Sequence, residues 1–533
     1  MTACASRAGM TAGSWRATLA LTLALTLAAT GCGRKDAPAA SSDAGAAAFT
    51  ILAGSELKDL EPALMEAARG AGVSIKLSYA GTLDAVERVN AGEAFDALLP
   101  PNGAYPALAL NTKPLAREKL FYSRIALGVK PASFKALGWD TSNPGWADIA
   151  QAAAARKLRF AMTSPSGSNT GMSALFAVAC ATAGKSEDLS VSDVKPDLIK
   201  AFLSGHKLTA GSSGWLAEAF IKAPGELDAM VNYEAVILRA NDRLSPADRL
   251  RLVYPRDGMI TADYPLMLLR EDRRGDYIRL VAALKAAPFQ ESALQAAFLR
   301  PANPEARPAP ALPQTAVAEL AFPNRLEVID AVLAAYQAQW RKPATSIFVL
   351  DISGSMARHG RIDAMREALK VLAGVGDDSA TARYAAFQQR ERVVLIAFDE
   401  QVEAPQWIRF EGDLQAARRT ALDRAQALAP RGGTAIFSAL DAAQQLAAEE
   451  RKAFPDRFIS IVLLTDGENN RGLSLDDFRR RHDGRAAAPV FPIVFGEANQ
   501  DDMRALAAMT GGREFDGRKV QLAQVFREIR GYQ

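Results

Sequence analysis

The chain has 533 residues, too many for one ordinary domain. Hydrophobic residues make up 49% and charged residues 23%, which is typical of folded globular proteins and excludes a disordered chain. Lys and Arg number 63 against 60 Asp and Glu, a net charge of +3, so the charge balance gives no support for a nucleic-acid partner.

The first 31 residues have the pattern of an export signal. Arg7 and Arg16 precede an apolar run, no acidic residue is present, and the segment ends in ATGC at Cys32. This ending resembles the lipobox of bacterial lipoproteins, which implies cleavage before Cys32 and lipidation of that cysteine. A plain secretory signal and an uncleaved anchor are the alternatives. Residues 32–47 are small, polar and without pattern, which predicts a flexible tether.

Residues 48–300, the front domain, alternate short apolar runs with helical periodicity. Strands are predicted at Phe49–Ala53, Val73–Tyr79 and Phe95–Leu99, and helices at Leu57–Arg69 and Leu83–Ala91. This alternation of strand and helix predicts parallel pairing in an α/β fold.

Residues 301–322 predict a Pro-rich linker in extended conformation, because five prolines fall in LRPANPEARPAPALPQ. A helix is predicted at Leu326–Trp340. A second α/β series, the rear domain, then occupies residues 323–533. Its predicted strands are Ser346–Leu350, Val393–Phe398, Phe458–Leu464 and Val490–Phe495.

Oxygen-bearing side chains occur in three separate loops of the rear domain, two of them directly after a predicted strand. Asp351, Ser353 and Ser355 end the run IFVLDISGSM, Thr434 follows two glycines, and Asp466 follows the strand ending in VLLT. In an open parallel sheet, loops at the carboxyl ends of strands cluster near one point. The pattern therefore predicts a metal site made of hard oxygen ligands, whereas DISGS alone could be an ordinary polar turn.

This three-part pattern resembles the metal-ion-dependent adhesion site (MIDAS) of the von Willebrand factor A domain, a doubly wound Rossmann-like fold. The resemblance covers residues 323–533. It implies that Asp351, Ser353, Ser355, Thr434 and Asp466 hold Mg²⁺, with Mn²⁺ or Ca²⁺ as alternatives. It further implies that a protein partner supplies a carboxylate to the metal. His359, in the same loop, is predicted to be a solvated residue without a role.

The front domain resembles the two-lobed extracellular solute-binding proteins of bacteria that include molybdate, sulfate and phosphate binders. The resemblance rests on GSELKDLEPAL, YAGTLDAVERVNAGEAFDALLPPNG, FAMTSPSGSNTGMSALF and DAMVNYEAVI. Several of these loops run into a helix, where free N–H groups and hydroxyls can bind an oxyanion, although Ser and Asn are also ordinary helix caps. The candidate ligand-binding residues are Ser55, Thr82, Asn102, Ser166, Ser168, Asn169, Ser213 and Tyr233. For Tyr233 a place in the core is the alternative.

These observations predict an α/β protein with a two-lobed front domain and a metal-binding rear domain. We expect a lipid-anchored protein of the cell envelope, facing the periplasm or the cell exterior. It would bind a protein partner through Mg²⁺ and a small solute (an oxyanion, a sugar or an organic acid) in its cleft. The alternative is the solute-binding component of a membrane transport system. An enzyme is not expected, because the three histidines have no metal-pair spacing and no nucleophile elbow or phosphate loop is present.

Overall fold

The structure, a computed structural model, describes residues 47–376, 379–518 and 522–532. The predicted signal segment, the lipidation residue Cys32 and nearly all of the tether therefore lie outside the described residues. Within the described part of the chain, no helix has both the length and the apolar character that a membrane span requires.

The front domain forms two lobes, each built on its own sheet. The strands are β1 Phe49–Ala53, β2 Ile75–Tyr79, β3 Ala97–Leu99, β4 Ala116–Lys119, β5 Phe121–Val129, β6 Phe160–Thr163, β7 His206–Ala210, β8 Ala229–Tyr233, β9 Arg251–Val253, β10 Thr261–Ala262, β11 Pro265–Leu268 and β12 Arg300–Pro301. The helices are α1 Glu61–Gly70, α2 Thr82–Asn90, α3 Ala104–Ala109, α4 Pro131–Ala136, α5 Trp146–Ala154, α6 Asn169–Ala183, α7 Pro196–Ser204, α8 Ser213–Lys222, α9 Glu234–Asn241, α10 Arg274–Lys285 and α11 Ala287–Ala296.

Lobe one has the strand order β2-β1-β3-β11-β4, and lobe two has β10-β5-β8-β6-β7 with β9 and β12 also paired to β5. The predicted parallel pairing of β1 with both β2 and β3 is present. The chain crosses between the lobes from β4 to β5 and returns from β10 to β11. The backbone N–H of Leu120 in the first crossing donates to the carbonyl of Tyr264 in the second at 3.2 Å, which joins the two crossings.

The rear domain is a six-stranded sheet with helices on both faces. Its strands are β13 Ala344–Asp351, β14 Arg392–Phe398, β15 Gln406–Arg409, β16 Phe458–Thr465, β17 Val490–Val494 and β18 Phe515–Asp516. Its helices are α12 Leu326–Ala335, α13 Arg361–Leu372, α14 Ala380–Ala385, α15 Leu414–Ala427, α16 Ile436–Ala453, α17 Leu475–His482, α18 Gln500–Thr510 and α19 Leu522–Arg530.

The sheet order β15-β14-β13-β16-β17-β18 is parallel except for β15. All eight residues of β13 are buried, as expected for a central parallel strand covered on both faces. The chain first pairs β14 on one side of β13 and later β16 on the other. The order of strands therefore reverses at β13, and ligands of such sheets bind outside the strand ends at this switch point.

The front and rear domains share one continuous hydrophobic cluster. The ring of His206 in β7 lies 5.4 Å from that of Phe458 in β16, and the ring of Trp215 in α8 lies 4.8 Å from that of Tyr532 near the C-terminus. The Pro-rich segment 301–322 is packed against the front domain, with Ala309 and Leu312 buried. It therefore does not separate the two domains.

Candidate functional site

The predicted metal motif lies where β13 and β16 end. The backbone N–H of Ser353 donates to Asp351 Oδ1 at 2.8 Å, and the hydroxyls of Ser353 and Ser355 lie 3.0 Å apart. The Ser355 hydroxyl donates to Asp466 Oδ1 at 2.7 Å. The structure thus brings these four predicted residues from two separate loops into one hydrogen-bonded group.

Thr434 reaches the same place from a third loop. A Cβ atom built on Gly467 would lie 3.6 Å from Ser355 Oγ and 3.8 Å from Thr434 Oγ1, so both hydroxyls border the space beside Gly467. The Thr434 backbone N–H donates to Asn470 Oδ1 at 3.0 Å, and the N–H of Asn470 donates back to the Thr434 carbonyl. Asn470, which the sequence did not single out, therefore holds the Thr434 loop against the loop after β16.

Both carboxylates of the group are fully buried. Burial raises the pKa of Asp351 to about 6, and the nearby Asp466 adds to that rise, while hydrogen bonds from Ser353 and Thr465 act in the opposite direction. The Thr465 hydroxyl donates to Asp351 Oδ2 at 2.7 Å, which fixes the second oxygen of that carboxylate. Two carboxylates and the hydroxyls of Ser353, Ser355, Thr434 and Thr465 therefore lie close together here.

A cation of the chain itself contacts the group. Nη1 of Arg361, in the first turn of α13, lies 2.5 Å from Asp466 Oδ2. The Arg361 side chain is only 13% exposed. Sequence analysis did not single out this residue, because its distance from the motif along the chain follows no ligand-spacing rule. His359 in the same loop is exposed, consistent with the expectation that it is solvated.

The donor set fits a hard divalent cation. Carboxylate and alcohol oxygens are the ligands that suit Mg²⁺, which usually keeps several waters and binds only one or two carboxylates. Among the described residues, no group of three or more His, Cys, Asp or Glu side chains could hold a metal ion. A metal site here would therefore depend on the hydroxyls of Ser353, Ser355 and Thr434.

The front cleft is closed at its predicted ligand loops. A Cβ atom on Gly81, just before α2 of lobe one, would lie 2.5 Å from the carbonyl oxygen of Gly167 in lobe two. Only glycine permits so close an approach of the two backbones. This contact places Thr82 next to the loop that holds Ser166, Ser168 and Asn169.

Asn169 and Tyr233 meet inside the cleft. Asn169 Nδ2 donates to the Tyr233 hydroxyl at 2.9 Å, and both residues are buried. Burial raises the pKa of Tyr233 well above its usual range. The Ser168 hydroxyl lies 3.0 Å from that of Thr170, so it is used within its own loop. Tyr233 is therefore both a core residue and a neighbour of the predicted ligand loop.

The remaining candidates occupy different positions. Asn102 caps the turn before α3 through its Oδ1 and donates to the Thr261 carbonyl at 3.4 Å, so it supports a crossing between the lobes. Ser213 is buried, and its carbonyl accepts from Asn232 Nδ2 at 2.9 Å. Ser55 lies in a pocket between the lobes with Ser212, the N-cap of α8.

Several buried polar atoms of the front domain have no hydrogen-bond partner among the described residues. They include Glu56 Oε1, Thr82 Oγ1, Ser123 Oγ, Asn169 Oδ1 and Thr261 Oγ1. An unsatisfied buried group is costly and commonly marks a place for water or a ligand. Glu56 was missed from the sequence, although it directly follows the predicted Ser55.

The rear domain covers the mouth of this cleft. The backbone N–H of Thr381 in α14 donates to Glu87 of α2 at 2.7 Å, and the Thr381 hydroxyl donates to the same carboxylate. Gln337 donates to the Ser166 hydroxyl. A small pocket of about 100 Å³ remains where both lobes and the rear domain meet.

Two family models match the chain. The model of the bacterial extracellular solute-binding protein matches residues 49–296, and that of the von Willebrand factor type A domain matches residues 346–468. The chain joins a solute-binding domain to an A domain. This combination of domains is that of a binding protein located outside the cytoplasm. No curated protein matches the chain.

Solved structures resemble each domain separately. The von Willebrand factor type A protein of Catenulispora acidiphila is 22% identical over 36% of this chain, with a TM-score of 0.28, and the chain spans 42% of its length. The periplasmic binding protein AfuA of Actinobacillus pleuropneumoniae, with fructose-6-phosphate bound, is 13% identical over 54% of this chain and 97% of its own, with a TM-score of 0.42. The ferric binding protein of Campylobacter jejuni is 11% identical over 54% of this chain and 98% of its own, with a TM-score of 0.44.

Proposed function

We propose that the A domain binds Mg²⁺ and through it docks a protein partner. The observation that carries this proposal is the group formed by Asp351, Ser353, Ser355 and Asp466, with the Thr434 hydroxyl bordering the same space beside Gly467. Three loops contribute oxygen atoms at the switch point of the sheet, which is where ligands of such folds bind. Mn²⁺ and Ca²⁺ are alternative ions for the same oxygens.

The ligand chemistry favours docking over catalysis. Asp466 is already paired with Arg361, and the hydroxyl ligands carry no charge, so a divalent ion held here would keep an excess of positive charge. A carboxylate on the surface of a partner would supply both the missing charge and a further oxygen ligand. Binding of this kind requires no bond to break, so we assign the chain a binding role and no enzymatic one.

The solute-binding domain supplies the second part of the proposed function. It would hold a small solute between its lobes, where Thr82, Asn169 and Tyr233 lie together near the closed loop contact. The unsatisfied oxygen atoms of Thr82 and Asn169 support a ligand at this position. We propose that a lipid on Cys32 anchors the protein in the cell envelope, facing the periplasm or the cell exterior.

Binding of Mn²⁺ provides a direct test of the metal site, because the free ion is observed by electron paramagnetic resonance. We expect the chain to remove one equivalent of free Mn²⁺, and Mg²⁺ to displace it. The Ser355→Ala and Thr434→Ala variants should bind Mn²⁺ at least about tenfold more weakly, since each loses one oxygen ligand. Ser474→Ala, at the N-cap of α17, is the matched control. Equal binding by all four proteins would refute the metal site.

A further inference from the structure

A groove of about 680 Å³ lies along the seam between lobe two of the solute-binding domain and the A domain. Lobe two lines it with residues of α5, α7 and β7, and the A domain lines it with residues 340–343, which lead into β13. The groove is therefore at the opposite end of β13 from Asp351. None of its lining residues is a candidate ligand residue of the front cleft.

Lysine and arginine dominate the charged residues of this groove. Seven of the lining residues are Lys or Arg and only two are Asp, whereas the whole chain carries a net charge of +3. Two of the seven cations are neutralised by acids outside the lining, since Arg159 is paired with Asp228 and Arg341 with Glu391. The groove therefore has a local excess of positive charge.

The other five cations form no ion pair with an acidic side chain of the described residues. Arg390 donates to the backbone carbonyls of Gln339 and Arg341, which leaves its charge without a counter-ion. The two acids of the lining, Asp197 and Asp456, are exposed and form no ion pair within the described part of the chain. The five cations are Arg156, Lys200, Lys207, Lys342 and Arg390.

Two of these ammonium groups meet where the domains join. Nζ of Lys342, from the A domain, donates to the carbonyl of His206 at 2.6 Å, which brings it beside Lys207, the next residue of β7. Lys342 is half-buried and Lys207 is exposed. Burial and the charge of Lys207 lower the pKa of Lys342 to about 8, with Asp456 acting in the opposite direction. An anion beside both lysines would replace this repulsion by attraction.

We propose that the groove binds a phosphate-bearing anion, whose oxygens are held by Lys207 and Lys342 across the seam. Ammonium groups bind phosphate as point charges through charge-assisted hydrogen bonds. A phosphate group carries about 1.5 to 2 negative charges near pH 7, so a single group matches the two lysines. The site is separate from the metal motif and from the cleft between the lobes.

The rest of the groove favours an anion larger than a single phosphate ion. The unpaired cations Arg156, Lys200 and Arg390 belong to the same lining and would attract further negative charge. A volume of about 680 Å³ is in the range of pockets that hold small organic ligands. Soluble phosphate esters and phospholipid headgroups present the same oxygens, so the test has one arm for each source.

The soluble arm is titration calorimetry of the full chain with tripolyphosphate, in a phosphate-free buffer without divalent ions. The vesicle arm is co-sedimentation with phosphatidylglycerol vesicles, compared with vesicles of zwitterionic phosphatidylcholine. We expect binding in at least one arm. Lys207→Gln should weaken it about tenfold, because one charge is lost at a partly screened site, whereas Lys207→Arg, which keeps the charge, should weaken it less than about threefold.

Lys135→Gln is the matched control, because Lys135 is an exposed lysine of α4 in the same lobe and does not line the groove. It changes the net charge of the chain by the same amount as Lys207→Gln and should leave binding within about twofold. Weakening by Lys207→Gln alone supports the proposal, and the arm in which it occurs identifies the source of the phosphate. Binding that Lys207→Gln weakens no more than Lys135→Gln does would overturn the proposal, as would absence of binding in both arms.

Discussion

Glu87 of the solute-binding domain accepts two hydrogen bonds from Thr381 of the A domain, one from its backbone N–H at 2.7 Å and one from its hydroxyl. The pair joins α2, whose first residue is the candidate ligand residue Thr82, to α14 of the A domain. Because the residues are 294 positions apart, this contact depends entirely on the packing of the two domains. It fastens the A domain over the mouth of the cleft.

Removal of this contact should loosen the mouth of the cleft. In Glu87→Ala, the backbone N–H and the hydroxyl of Thr381 lose their acceptor. The loss of an acceptor for partly buried donors lowers the free energy of unfolding by about 1–3 kcal/mol. We expect faster hydrogen exchange of the amides of residues 163–171 and of α14, with the sheet strands unchanged. Glu66→Ala, on the exposed face of α1, is the control. Unchanged exchange in Glu87→Ala would show that the pair does not hold the domains together.

A close backbone contact also joins the two domains. A Cβ atom on Gly531 would lie 2.8 Å from Gly211 Cα, so even alanine requires the backbones to separate. Gly531→Ala should lower the free energy of unfolding by about 1–3 kcal/mol, in the range of overpacked sites. Gly225→Ala is the matched control, since a Cβ there meets no atom within 4 Å. Denaturant titration of both variants measures the difference.

The acid side of the stability profile should depend on His206, which lies between lobe two and the A domain. Burial lowers the pKa of His206 to about 4 from 6.5, and Lys342 acts in the same direction. Between pH 6.5 and pH 4 the His206 side chain is therefore neutral in the folded chain but protonated in the unfolded chain. The free energy of unfolding consequently decreases as the pH falls through this range. The loss amounts to about 3 kcal/mol.

Substitution of His206 by phenylalanine removes the titrating group. The fall in unfolding free energy between pH 7 and pH 4.5 should then be smaller than in the wild type, whatever the absolute stability of the variant. His359→Gln, at an exposed position, should keep the wild-type profile. If the unfolding free energies of the wild type and of His206→Phe fell equally with pH, the acid loss of stability would not come from His206.

Arg361 should oppose metal binding, because its guanidinium lies 2.5 Å from Asp466 Oδ2. A divalent ion beside Asp466 would be repelled by this charge. We expect Arg361→Gln to bind Mg²⁺ about fivefold more tightly, as Coulomb repulsion at a partly screened site predicts. Arg358→Gln, an exposed arginine of the same loop, should change the affinity little. Weaker binding in Arg361→Gln would mean that the arginine positions Asp466 for the metal.

Much of the fold followed from local pattern. The predicted strand Ser346–Leu350 lies within β13, because a short continuous apolar run rich in β-branched residues is typical of a strand buried on both faces. The helix predicted at Leu57–Arg69 is divided in the structure, with a 3-10 turn at Ser55–Leu60 followed by α1. Pro62 in the first turn of α1 explains the division, since proline starts a helix well and interrupts one that precedes it.

The clustering of these side chains was predictable, because Asp351 and Asp466 lie at the ends of recognisable strands and Thr434 follows a Gly-Gly turn. The unsatisfied oxygen of Glu56 and the approach of Lys342 to Lys207 were not predictable, because they arise from burial and from contacts between distant parts of the chain that no local pattern records. The packing of the A domain over the cleft was likewise invisible, since Thr381 and Gly531 look like ordinary surface residues in the sequence. The proline count indicated a spacer, yet residues 301–322 pack against the front domain through their apolar side chains.

The central claim, a Mg²⁺ site made by three loops of the A domain, is tested most directly by thermal unfolding of the purified chain with increasing Mg²⁺. Binding to the native state alone raises stability by about 2.7 kcal/mol at 100 times the dissociation constant. We expect a rise in Tm in the wild type and in Asp476→Asn, an exposed acid on α17, but none in Asp351→Asn. A wild-type Tm that does not respond to Mg²⁺, or an equal response in Asp351→Asn, would contradict the account.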